Sequence, residues 1–231
     1  MDIRSVLDRY DREMRARPYL PPELTAREDV GVLCVTGQYN CVIHTALTEA
    51  NAEAAIDAQL AAFAARGEDV EWKVHAHDRP ADLGQRLASR GFEPDPAETL
   101  MALSLANGPA AAPKVRGIEV RQVLDAAGLR DFVDALTAGF EADRSDAFGE
   151  FEHRLGDPTV ALYVAYAGEA PVGAGRVDLP PERPFAGLYA GAVAPTFRRR
   201  GVYRALVDAR LSAARTAGYD FAMVEALPTS R

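Results

Sequence analysis

The chain has 231 residues, 48% of them hydrophobic, with 26 basic against 34 acidic side chains and a net charge of −8. That length suits one large domain or two small ones, and the apolar content is enough for a real core. The acidic balance argues against a broad nucleic-acid-binding face, so the run Arg198–Arg199–Arg200 stands out locally.

In chain order, residues 2–16 carry Ile3, Val6, Leu7, Tyr10 and Met14 at helical spacing. Pro18, Pro21 and Pro22 end that helix. The segment is charged and has no apolar run of ~7–15 residues, so no secretory signal is expected. No stretch approaches the ~18 apolar residues of a membrane helix, and a cytoplasmic enzyme is the default expectation. Residues 30–36 and 40–48 read as a strand hairpin, and 50–66 as a helix ended by Gly67. Residues 70–76 read as a strand, 81–90 as a short helix and 99–105 as another strand. Residues 107–114, rich in Gly, Pro and Ala, are the best linker in the chain. It separates an N-terminal half, 1–108, from a C-terminal half, 115–231.

A second series follows: a strand at 117–122, helices at 125–140 and 148–155, and a hairpin at 159–166 and 170–178. It closes with an apolar strand at 188–193, a helix at 203–217 and a strand at 220–227. Both series contain a hairpin, a long helix ended by Gly and a further strand, a hint of internal duplication.

Cys34 and Cys41 have no metal-ligand spacing around them and read as two buried thiols; no metal site is expected. His75 and His77 alternate on the strand at 70–76, and structural roles are expected for them as for His44 and His153.

The informative segment is 187–206, GLYAGAVAPTFRRRGVYRAL. An apolar strand ends at Val193, Pro195 enforces a turn, and a helix starts at Gly201. A helix start offers free N–H groups and partial positive charge. Gly201 permits close approach, and three arginines add donors, which together suit a pyrophosphate.

This run resembles the signature of the GNAT superfamily, the Gcn5-related N-acetyltransferases: an apolar strand, a Pro turn, then Gln/Arg-x-x-Gly-x-Gly/Ala opening a helix. Arg198, Arg199, Arg200, Gly201 and Val202 match, while Tyr203 stands where Gly or Ala is usual. The resemblance covers about 117–227. It implies an α/β (α+β) fold with a mixed, mostly antiparallel central sheet flanked by helices, and acetyl-CoA as co-substrate. Ala192, Val193, Arg198, Arg199, Arg200, Gly201, Val202, Tyr203 and Arg204 would bind it. Backbone N–H groups near Ala192 and Val193 would hold the pantetheine arm and polarise the thioester carbonyl.

Residues 70–105 resemble the late part of the same fold. Where a phosphate loop should stand, that half has Glu49 and Glu53 at a helix start. These favour the helix but repel a pyrophosphate. The N-terminal half is therefore expected to be a degenerate GNAT-like or α/β cap domain, as in tandem members of the family.

The implied reaction is acetyl transfer from acetyl-CoA to a primary amine, the acceptor being a small molecule. Acetylation of a protein lysine or N-terminus, and a non-catalytic acyl-CoA sensor or interaction module, are the alternatives. The candidate catalytic residues are Tyr189 on the strand beside the thioester and Glu225 on the last strand. Asp178 and Glu182 border the acceptor side.

In the family the last strand here is followed by a helix and further strands, whereas this sequence stops at Arg231. Three readings are open. The natural C-terminus lies further on, which is the favoured one; another part of the chain, such as 1–28, covers the gap; or a second subunit does so in a homodimer.

Overall fold

The computed structural model describes residues 2–37, 39–106 and 115–228, and the chain divides into two compact units, Met1–Ala97 and Glu98–Arg231. The linker read at 107–114 and the last three residues lie outside the described residues. No helix among the described residues is long and apolar enough to cross a membrane.

In the first unit, α1 (Ile3–Tyr10) starts at Asp2, whose carboxylate accepts from the N–H groups of Arg4 and Ser5. It runs into a π-helical turn, Asp11–Arg15. β1 (Thr25–Asp29), β2 (Val32–Thr36) and β3 (Cys41–Thr45) form an antiparallel meander. After α2 (Ala52–Ala64), β4 (Glu71–Trp72) pairs parallel to β3, and α3 (Leu83–Ala88) follows. Val32, Cys34 and Val42 of the sheet pack against Ile56 and Phe63 of α2 and Leu83 and Leu87 of α3.

β1 escapes a sequence reading because its residues are mostly exposed and carry no apolar alternation. The strand expected over 70–76 shrinks to β4. His75 and His77 lie in the turn beyond it, where the Asp78 carboxylate accepts from the His75 N–H at 2.8 Å and gives the backbone an alternative to the ladder. Asp78 also receives both terminal nitrogens of Arg15, at 2.9 and 2.8 Å, tying the end of the π-turn to this turn. Cys34 and Cys41 are buried free thiols, and burial pushes Cys41 up to about 12.

In the second unit, β5 (Thr99–Ser104) and β6 (Glu119–Gln122) precede α4 (Ala126–Phe140) and α5 (Asp146–Glu152). Then come β7 (Val160–Ala167), β8 (Ala170–Asp178), β9 (Phe185–Val193), α6 (Val202–Thr216) and β10 (Phe221–Ala226). The sheet order is β5-β10-β9-β8-β7-β6, antiparallel throughout except for β9 and β10. Leu129, Phe132 and Leu136 of α4 and Phe151 of α5 cover one face, against Leu162, Val164, Ala174 and Ala192. Leu206, Leu211 and Ala214 of α6 cover the other, against Val172, Val177, Ala186 and Leu188.

The strand at 99–104 departs from its expected place in the N-terminal half. It pairs antiparallel with β10, from Thr99↔Ala226 to Ser104↔Phe221, and belongs to the second sheet. Local periodicity identifies a strand but not its partner. The outer edge of β10 is thereby covered by residues 99–104 of this chain. The two units also share an order: a three-strand antiparallel meander, a helix, and a strand parallel to the third, as β1-β2-β3-α2-β4 and β7-β8-β9-α6-β10.

Candidate functional site

β9 and β10 pair only through Phe221↔Phe185, Ala222↔Ala186 and Met223↔Gly187, yet β9 continues to Val193 and β10 to Ala226. Beyond Gly187 the two strands part. On its other side β9 carries a bulge: Ala174 pairs with Ala192 and Arg176 with Tyr189, so Gly175 faces both Ala190 and Gly191. Ala190 takes a left-handed φ of +50° to make it. The stretch of β9 past Gly187 thus offers backbone groups on its β10 side that the sheet does not use. An extended ligand with amides of its own can pair there, as an added strand would.

The same strand leads through Pro195 and a 3₁₀ turn, Pro195–Phe197, into Arg198–Arg199–Arg200. Arg199 (φ +62°) and Gly201 (φ +83°) are left-handed, and α6 follows at once. No side chain caps α6, and its first turn holds no acidic residue. The N–H groups of Val202, Tyr203 and Arg204 therefore carry the helix's positive end without an internal partner. A side chain at position 201 would be strained by that φ, and its Cβ would sit 3.1 Å from Val115 Cγ2.

The three arginines differ. Arg198 donates from Nε to the Val193 carbonyl at 3.1 Å and from Nη2 to the Gly139 carbonyl and Glu141, both at 2.9 Å. It fastens the end of β9 to the C-terminus of α4, where a cation suits the helix dipole. The Arg200 guanidinium lies over the Phe197 ring at 5.2 Å, and Arg199, Arg200 and Arg204 are exposed. If CoA binds at this helix start, as the sequence resemblance implies, Arg200→Ala should weaken it by about tenfold, the loss of one charge-assisted contact of roughly 1.5 kcal/mol. Arg198→Ala should in addition lower the melting temperature, because it frees two carbonyls. Calorimetric titration and thermal melting of both variants check this; an Arg198 variant that melts like the unmodified protein would contradict it.

Tyr203, where the family's pattern has a small residue, is half-exposed, and its ring lies over Gly191. A Cβ on Gly191 would meet Tyr203 Cε2 at 2.8 Å, so the large residue on the helix is matched by none on the strand.

On the α5 face of the sheet, Arg176 Nε lies 3.0 Å from Asp178 Oδ1, an ion pair without hydrogen-bond geometry, and Nη1 lies 3.4 Å from Glu150. The same guanidinium covers the Tyr189 ring at 4.9 Å. Burial pushes the Asp178 carboxyl above its ordinary range, against the downward pull of Arg176. Tyr189 is thus placed beside the gap but already stacked. Glu225 lies on β10 past the last pairing with β9, opposite Leu100 of β5. Ala222 and Val224 belong to the α6 face, so alternation turns Glu225 to the face that carries Tyr189. Glu182 is exposed in the β8–β9 loop, at φ +58°.

The equivalent helix start in the first unit also has no side-chain cap, but Glu53 stands in its first turn. The Asn51 carboxamide accepts from the Thr48 N–H at 2.7 Å. Glu49 and Glu53 pair with Arg86, and Glu53 and Asp57 with Arg90. A groove of 610 Å³ along β7, bordered by Val160, Leu179 and Ala213, includes neither the start of α6 nor Tyr189. The helix end and the parting strands, not cavity size, mark the candidate site.

The model of the acetyltransferase (GNAT) family matches residues 129–229, from α4 to just past β10. No curated protein matches the chain. Among solved structures, the chain is similar to a GCN5-related N-acetyltransferase from Kribbella flavida at 12% identity, over 99% of this chain and 86% of that one, with a TM-score of 0.71. It is similar to a tandem GNAT protein from the clavulanic acid biosynthesis pathway at 14% identity, over 92% of this chain and 78% of that one, with a TM-score of 0.62. A functionally unknown conserved protein from Staphylococcus epidermidis aligns at 13% identity, over 90% of this chain and 85% of that one, with a TM-score of 0.61. At such identities the likeness is one of fold, and it spans both units.

Proposed function

We propose, for a chain whose residues 129–229 match the acetyltransferase (GNAT) family model, that it moves an acetyl group from acetyl-CoA to a primary amine of a small molecule. The observation that carries this reading is the uncapped, arginine-flanked start of α6 standing directly after a strand that has parted from its neighbour. The N–H groups of 202–204 and Arg200 would take the pyrophosphate. The free edge of β9 would pair with the pantetheine amides, and N–H groups near Ala192 and Val193 would polarise the acyl carbonyl. Acetyl-CoA supplies an activated thioester; the chain's own residues bind, orient and move protons. An attacking amine must lose a proton, which Glu225, on the far lip of the gap, would take, while the C–S bond breaks and CoA leaves as the thiolate. Asp178 and Glu150 form an acidic rim on the same face of the sheet, suited to an amine that arrives as a cation.

The first unit would contribute no second CoA site, since Glu49 and Glu53 flank its helix start and would repel a pyrophosphate. A thiol-release assay with acetyl-CoA and a panel of primary amines tests the proposal. Release that depends on an amine, with an equal amount of acetylated product, is expected. CoA binding without turnover on any amine would instead favour a sensor, and turnover only on peptides a protein acetyltransferase.

A further inference from the structure

Arg210 is an anomaly on α6. It lies on the apolar stripe of the helix, four residues from Leu206 and from Ala214, and is 1% exposed. Its hydrogen bonds go to backbone carbonyls. Nε donates to Leu206 at 3.1 Å, and Nη1 donates to Tyr189 at 3.1 Å and to Arg176 at 3.4 Å. Nη2 has no hydrogen-bond partner among the described residues, and the Tyr203 ring stands 5.9 Å from the guanidinium carbon. Burying a cation against neutral acceptors is unfavourable compared with an apolar side chain of the same size. What the guanidinium gains is specific to its place.

Arg176 and Tyr189 are the last regular pair before Gly175 faces Ala190 and Gly191. Their two carbonyls, one from each strand, flank the bulge, and a planar fork of donors can hold both at once. Room for it depends on glycine at 175. A Cβ on Gly175 would lie 2.9 Å from the guanidinium carbon, whereas one on Gly191 would only touch Nη2, at 3.5 Å.

We propose that Arg210 is a positioning residue that clamps the β9 bulge, and thereby fixes the stretch of β9 on which the acyl group is presented. The inference deepens the acetyltransferase reading and rests on it for its catalytic consequence. The clamp itself does not. Arg210 is eight residues into α6, roughly 12 Å along the axis from the helix start. Its loss should leave the pyrophosphate end in place and disturb the acyl end.

Two variants test it. Arg210→Met removes the donors and keeps the bulk. Gly175→Ala keeps the arginine and displaces it. In hydrogen–deuterium exchange of the ligand-free chain, both should raise the exchange rate of amides in 188–192 by about tenfold or more relative to the unmodified protein. Rates in α4 should not change. Unchanged protection across 188–192 in both variants would overturn the clamp, whatever the chain turns out to bind. If Arg210→Met fails to fold, Arg210→Lys and Gly175→Ala carry the same comparison.

In enzymology, both variants should lower kcat for acetyl transfer by about a hundredfold, the effect of misplacing reacting groups by about 1 Å. The CoA dissociation constant should stay within about threefold, and Arg210→Lys, a single point donor, should recover part of the rate. Loss of CoA affinity in step with kcat would contradict the positioning role. Absence of CoA binding by the unmodified protein would instead sink the acetyltransferase reading and leave the exchange result standing.

Discussion

Gly201→Glu should abolish CoA binding by the chain, weakening it by at least about a hundredfold. Two effects act in the same direction. Position 201 has φ +83°, so any side chain is strained there and the start of α6 must shift. The new carboxylate would also sit at the uncapped helix start and take the place of the anion. A hundredfold corresponds to about 2.8 kcal/mol, within reach of one lost anion site plus like-charge repulsion. Calorimetric titration checks it, with Gly201→Ala as the control for strain alone. Gly201→Ala should retain measurable affinity. Equal affinity for CoA in Gly201→Glu and the unmodified protein would remove the start of α6 from the site.

Glu225→Gln should lower kcat by roughly 10²–10⁴-fold, the usual contribution of a general base, while CoA affinity stays unchanged. Asp178→Asn should act differently, raising the KM for the amine more than it lowers kcat. The pH dependence distinguishes the two further. The folded-state pKa of Asp178 is raised by burial. Its contribution to stability is then fully present below the ordinary carboxyl value and is lost as pH rises through the raised one. Above the raised value the ionised form is a burden on the fold, and there Asp178→Asn should melt no lower than the unmodified protein. In the same window, amine affinity should rise with pH as the carboxylate forms. Steady-state kinetics and melting curves, each followed from the ordinary carboxyl range upward, measure both. A Glu225→Gln enzyme with normal kcat would move the base elsewhere, and a strongly destabilised Asp178→Asn would make that residue a structural ion-pair partner.

The strand, turn and helix over 185–216 are legible in the sequence because each is punctuated by residues with one physical meaning: Pro195 for the turn, Gly201 for the left-handed helix start, Gly218 for its end. The order of the hairpin and the closing strand is legible in the same way. What pattern does not carry is anything set by a distant partner. The pairing of β5 with β10 joins residues more than a hundred positions apart, and nothing local at 99–104 records it. The bulge is hidden because Ala190, not a glycine, takes the left-handed conformation. Arg198 reads as a phosphate ligand next to Arg199 and Arg200; only the fold brings the Gly139 carbonyl and Glu141 to it. Gly139 itself looks like a helix-weakening residue, yet a Cβ there would lie 2.6 Å from that of Ala192, so it is what lets α4 cross β9. Arg210 left one signal, a charge at the i+4 position from Leu206 on an otherwise apolar stripe.

The central claim, that one of the two similarly ordered units binds CoA at the start of α6 and the other binds none, is tested most directly by titrating the whole chain with CoA in a calorimeter. One equivalent per chain, displaced by acetyl-CoA, is the expected result. Two equivalents, or no heat at all, would contradict it.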